Sequence, residues 1–198
     1  MITRPIINRA IANKLWMELC QTKGTCWLPV LTESMLPLIR PGDRVKVSRI
    51  APSEVHFGDI AVFCRGNDLI VHRILKTWHK PNDVYFSEKG DAGLRYTLIK
   101  SDDIIGRVIG LKRGTRTFDL NLPPSRMVNL FISAWFRVST ACVNRLTLKI
   151  PAIFRAETVL RKTTDIATGF LAAGCLAIWY TAGRFTGNEI ASNGSEDE

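Results

Sequence analysis

Apolar and polar residues change rhythm three times along the chain. Ile6, Ile7, Ala10, Ile11, Leu15 and Leu19 recur at helical spacing and Lys23-Gly24 supplies a stop, which predicts a helix over 6–23. Arg9, Asn13, Lys14 and Glu18 interrupt it. The segment is too polar to span a bilayer and lacks the apolar core of a secretory signal, so a helix packed on the following domain is expected. From residue 25 the rhythm is that of strands. Residues 25–31 read as one strand, and Val45 and Val47 alternating with Lys46 and Ser48 read as another. Gly58-Asp59 is a turn into Ile60–Phe63, and Leu69–Leu75 is an apolar strand interrupted by His72 and Arg73. Residues 102–110 return as a strand in which Gly106 marks a bulge or a close approach.

After Gly114 the period becomes helical. Leu122-Pro123-Pro124-Ser125 is a break, with Ser125 as the expected N-cap. Met127, Leu130, Phe131, Trp135 and Val138 then predict an amphipathic basic helix, or a helix pair, over 126–149. It suits either a membrane surface or the open side of the sheet. The run 166–183 is uncharged but rich in Ala and Gly, at the lower limit of the about 20 residues a spanning helix needs. A docked or peripheral helix is expected there, ahead of a polar, acidic tail. Were it to span, the basic residues before it would leave the preceding domain on the cytoplasmic side. The organisation is thus an N-terminal helix (1–24), a mainly β domain (25–116) and a helical C-terminal region (117–198).

Composition narrows the partners. The chain has 198 residues and a formal charge of +9. Its basic residues are scattered rather than clustered, which favours a membrane surface or simple solubility over nucleic acid. Five cysteines with no Cys-x-x-Cys pair argue against a zinc site or a disulfide framework, and for free thiols in a reducing compartment. No metal or cofactor is expected.

The candidate chemistry begins at Ser34, between one strand and the Pro41-Gly42 turn into the next, a rim position where a hydroxyl meets a substrate. A serine hydroxyl needs an adjacent base, and an imidazole suits that role near pH 7. His72 is that candidate, alternating with Ile70 and Ile74 on one face of its strand. His56 and His79 fall in expected loops. Asp91 is a candidate to orient the imidazole, or else a cap on the Gly90 turn.

The order Ser34-Met35-x-Pro37, Gly42-Asp43, Gly58-Asp59-Ile60-x-Val62-Phe63, Val71-His72-Arg73-Ile74 and Lys89-Gly90-Asp91 resembles the type I signal peptidase family. It is most similar to the endoplasmic-reticulum and archaeal branch, which uses Ser-His in place of Ser-Lys. The resemblance covers roughly residues 25–112. It implies a signal-peptidase-like β domain and a serine peptidase that cleaves a precursor or leader peptide, needing no cofactor. Ser34 would be the nucleophile, His72 the base and Asp91 its orienter. The Thr32 hydroxyl and the Ser34 N–H would form the oxyanion hole, and Met35 would line the substrate pocket. An extended peptide would be the substrate, and the enzyme would sit in the cytoplasm or at the cytoplasmic membrane, through 127–149 or 166–183.

Three features depart from the family. Members usually carry a membrane anchor ahead of the serine. Glu33 replaces the expected small residue beside it. The second aspartate expected after Lys-Gly-Asp is absent from Ala92–Thr97. Asp91 would then act alone, or Asp102 or Asp103 would reach in, or the pair would act as a dyad. Two alternatives follow: a catalytically inactive peptide-binding module of the same fold, or a self-cleaving regulator like the SOS repressors, which use lysine as base.

Overall fold

The structure is a computed structural model, and it describes residues 15, 16, 18, 19, 22–81, 83–93 and 95–149. Among the described residues eight strands form one antiparallel sheet. In chain order they are β1 (Thr25–Pro29), β2 (Arg44–Ser48), β3 (Ile60–Arg65), β4 (Asp68–His79), β5 (Val84–Lys89), β6 (Thr97–Lys100), β7 (Ile104–Arg113) and β8 (Arg116–Asp119). Their spatial order is β1-β2-β7-β3-β4-β5-β6, with β8 beside β7. Among the described residues the sheet is followed by a helix, α1 (Pro123–Lys149).

Alternation decides which face of each strand is buried. Val45 and Val47 of β2 are closed to solvent, while Lys46 and Ser48, which alternate with them, are partly exposed. They join Leu28, Val30, Met35, Leu38, Ile39, Ile60, Val62, Val108 and Leu111 in the larger of two cores within the sheet. Ala61, Phe63, Ile74, Phe86 and Ile99 form the second. Gly106 is a close approach: a Cβ there would lie 2.3 Å from the Ser48 carbonyl oxygen. The β3–β7 register shifts beside it, between Val62 and Phe63. Both expectations for this glycine hold.

α1 is a single helix and covers the sheet with only one side. Ile132 and Phe136 are buried with Leu75 and packed by Phe57 and Tyr96. Met127, Leu130, Phe131 and Val138 remain exposed on the other side. The helix begins two residues before Ser125, whose hydroxyl instead donates to the Asp119 carbonyl at 2.8 Å. Proline suits the first turn because its missing N–H would be an orphan there. Ser125 is therefore a brace to the end of β8 rather than the N-cap.

Two further expectations change. His79 is the last residue of β4 rather than a loop residue. Cys26 is disulfide-bonded and Cys64 is not, against the expectation of free thiols throughout. Pairing depends on where the chain brings two sulfurs together, which spacing along the sequence does not reveal. Among the described residues no helix is long and apolar enough to cross a membrane. The run 166–183, the acidic tail and most of the expected 6–23 helix lie outside the described residues; of the latter, residues 15, 16, 18, 19, 22 and 23 have helical backbone.

Candidate active site

Ser34 opens a tight turn between β1 and β2. The turn is closed by the Ile39 N–H donating to the Met35 carbonyl at 3.0 Å. Three devices fix the loop. Met35, Leu38 and Ile39 anchor it in the larger core. The Pro41-Gly42 turn reverses it, with Gly42 at φ 89°, the region only glycine enters without strain. Asp43, 3% exposed, accepts from the Arg40 N–H at 2.8 Å and takes a two-pronged contact from Arg113 at 2.8 and 2.7 Å. Arg113 also donates to the Leu38 carbonyl at 3.0 Å, so one guanidinium ties the serine loop to β7.

The second wall is the end of β5 and the Gly90 turn. The Ala92 N–H donates to the Ser34 carbonyl at 2.9 Å. A Cβ on Gly90 would lie 2.6 Å from the Ser34 carbonyl oxygen and 2.9 Å from His72 Nε2. Gly90 is therefore the point where serine loop and imidazole converge, and the lack of a side chain lets them do so. Thr32 Oγ1 lies 3.4 Å from Ser34 Oγ. Thr32, Ser34, Met35 and His72 all line one cavity of about 640 Å³, walled further by Leu28–Leu31 and Asp68–Val71. Met35 is 1% exposed, so it serves the core and the cavity wall together.

The imidazole is oriented by Glu88, not by Asp91. His72 Nδ1 and Glu88 Oε2 share a short hydrogen bond. Glu88 is 1% exposed, and its Oε1 accepts from Arg65 at 2.6 Å and from the Thr97 hydroxyl. Burial alone would raise its pKa, but the hydrogen bonds from His72 and Thr97, the charge of His72 and the contact with Arg65 outweigh that. The carboxyl is held below its ordinary range. Phe63 packs edge-on to His72, ring centroids 6.0 Å apart, and fixes the other side of the imidazole.

Asp91 belongs to the opposite face. It receives Arg73 Nε at 2.8 Å and Nη2 at 2.7 Å, both residues being buried. Arg73 Nη1 also reaches the Gly58 carbonyl at 3.3 Å and Asn129 Oδ1 of α1 at 3.0 Å. This cluster binds β4, the Gly58 turn, the Asp91 loop and α1 together. Strand parity explains the exchange of roles. Ile74 faces Glu88 across β4 and β5, and Arg73 faces Lys89. Neighbours on a strand point to opposite faces. His72, Ile74 and Glu88 therefore share one face, while Arg73, Lys89 and Asp91 share the other. Asp102 and Asp103 stand in a 3-10 turn before β7, bonded to the Ser101 hydroxyl and the Lys100 N–H, and neither takes the place beside His72.

No protein-family model matches the chain, and no curated protein matches it. The site rests on its own geometry: a loop serine and an imidazole meeting over a glycine, with a buried, ionised carboxylate behind the imidazole. Among the described residues no cluster of His, Cys, Asp and Glu is placed to hold a metal ion. Glu33 is exposed beside the serine.

Proposed function

We propose that the chain is a serine peptidase of signal-peptidase-like type, cleaving an extended segment of a peptide or protein precursor. The observation that carries this reading is that Ser34 and His72 line one cavity while the buried Glu88 carboxylate is bonded behind His72. His72 Nε2 faces the serine side, and Nδ1 is committed to Glu88, which fixes the tautomer that leaves Nε2 as acceptor. In the proposed reaction Ser34 Oγ attacks the peptide carbonyl and its proton passes to His72 Nε2. The ionised Glu88 stabilises the imidazolium. The tetrahedral oxyanion is held by the Ser34 N–H and the Thr32 hydroxyl. His72 then protonates the leaving amine, and water resolves the acyl-enzyme by the same proton path.

Sheet edges support a peptide as substrate. Among the described residues β1 pairs only with β2, and β4 pairs with β5 only from Arg73 onward. Asp68–His72 therefore bond β3 along one edge and leave the other to the cavity, opposite the outer edge of β1. A strand laid between two such edges gains main-chain hydrogen bonds along its length. Leu28, Val30, Leu69 and Val71 give the cleft an apolar floor for its side chains. The exposed side of α1, with Met127, Leu130 and Phe131 beside Arg126, suits contact with an anionic membrane surface. That part is tested by flotation with anionic vesicles, and a chain that stays with the soluble fraction refutes it.

The test of the activity is incubation of the full chain with a library of unstructured peptides, read by mass spectrometry. Cleavage by the wild type and none by Ser34→Ala is expected. Equal cleavage by both, or binding of peptides without any cleavage, overturns the peptidase reading; the second result favours the peptide-binding module.

A further inference from the structure

Arg65 lies outside the reacting atoms yet touches the site twice. Its Nη2 donates to Glu88 Oε1 at 2.6 Å and to the Thr97 hydroxyl at 2.9 Å. Its guanidinium carbon stands 5.5 Å from the centroid of the Phe63 ring, the same ring that packs on His72. Arg65 ends β3 and faces Asp68 across the Gly66 turn, so its side chain crosses β4 to reach β5 and β6. It is 47% exposed, whereas Glu88 is sealed. The charged groups that meet at this carboxylate are Arg65 from β3 and His72 from β4. From β6 comes the neutral Thr97 hydroxyl.

Arg65 and His72 thus share one buried carboxylate, each bonded to its own oxygen. Positive charge on Arg65 and on a protonated His72 would meet at this one carboxylate, and like charges in proximity disfavour one another. We propose that Arg65 is a positioning residue that divides the Glu88 carboxylate with His72 and so lowers the pH at which His72 becomes available as a base. This rests on the Ser34–His72–Glu88 reading above and adds a fourth member that sets its working range. Arg65 also anchors the hairpin whose β4 arm walls the cleft.

The test is titration of the His72 ring by NMR in the folded full chain, which needs no substrate. A half-exposed cation several ångströms from an imidazolium, partly screened by solvent, shifts its midpoint by about half a pH unit to one. Arg65→Gln is expected to raise the His72 midpoint by that amount, and Arg65→Lys to restore most of it. An unchanged or lowered midpoint in Arg65→Gln overturns the proposal. Failure of the underlying site reads differently. If His72 shows no low-field Nδ1–H resonance in the wild type, and Glu88→Gln leaves its midpoint in place, the Glu88 contact itself is wrong. If that resonance is present and only the Arg65 variants are silent, Arg65 alone has been misassigned. A change in unfolding midpoint without a change in His72 titration would mark Arg65 as merely structural.

Discussion

Two buried carboxylates three residues apart have opposite predicted consequences, and exchanging each for its amide separates them. Glu88→Gln keeps the shape of the side chain but removes the acceptor that fixes the His72 tautomer. In a serine–histidine–acid site that change costs about 10³–10⁴-fold in acylation rate. Its effect on folding is smaller, because the amide oxygen still accepts from Arg65 or Thr97. Asp91→Asn does the reverse. Arg73 is fully buried, and its two short bonds to Asp91 are its only contacts with a carboxylate among those the structure describes. Neutralising that partner leaves a guanidinium whose remaining contacts are the oxygens of Gly58 and Asn129. Breaking a buried ion pair from one side costs about 3–5 kcal/mol, a large share of a typical domain's stability. The assays are the second-order rate of Ser34 phosphonylation by a fluorophosphonate, with loss of fluoride, and the urea midpoint of each variant. Glu88→Gln should be folded and slow, Asp91→Asn less stable and, where folded, near normal in rate. A stable, slow Asp91→Asn beside a fast Glu88→Gln would refute the assignment and restore Asp91 as the orienter.

Gly90→Ala should lose acylation and stability together. Its Cβ would press on a backbone carbonyl at 2.6 Å, and overpacking of that kind costs about 1–3 kcal/mol; a variant as active and stable as the wild type would show that the convergence over Gly90 is wrong. The ionised Glu88 also makes stability depend on pH. Its folded pKa lies below the ordinary 4.5, so its contribution is complete above about pH 4.5 and is lost as pH falls through the lower folded value. Urea midpoints measured between pH 6 and 3 should therefore fall less steeply in Glu88→Gln than in the wild type, and parallel curves would contradict the shift.

The chain's rhythm made much of this legible. Alternation at Val45 and Val47, the apolar run Leu69–Leu75 and the turn at Gly58 each correspond to an observed strand or turn, because the buried face of a strand leaves a period of two in its sequence. Ser34, Thr32, Met35 and His72 line one cavity, although they come from segments far apart in sequence. Glu88 was missed because it precedes a Lys-Gly-Asp run that draws the eye to Asp91. The signal was present: Glu88 alternates with Phe86 on an otherwise apolar face, where an acid is retained only with partners. Arg65, Asp43 and Arg113 were not visible as parts of the site, since their roles depend on contacts across strands. The amphipathic pattern of 126–149 correctly gave a helix, but one stripe could not say that the buried side is Ile132 and Phe136.

The central claim is an activated serine, and labelling of Ser34 by a serine-acylating probe tests it most directly. The account predicts a covalent adduct on Ser34 in the wild type that is absent in Ser34→Ala and strongly reduced in His72→Ala. A folded wild type that takes up no probe, or one labelled equally with and without His72, would contradict it.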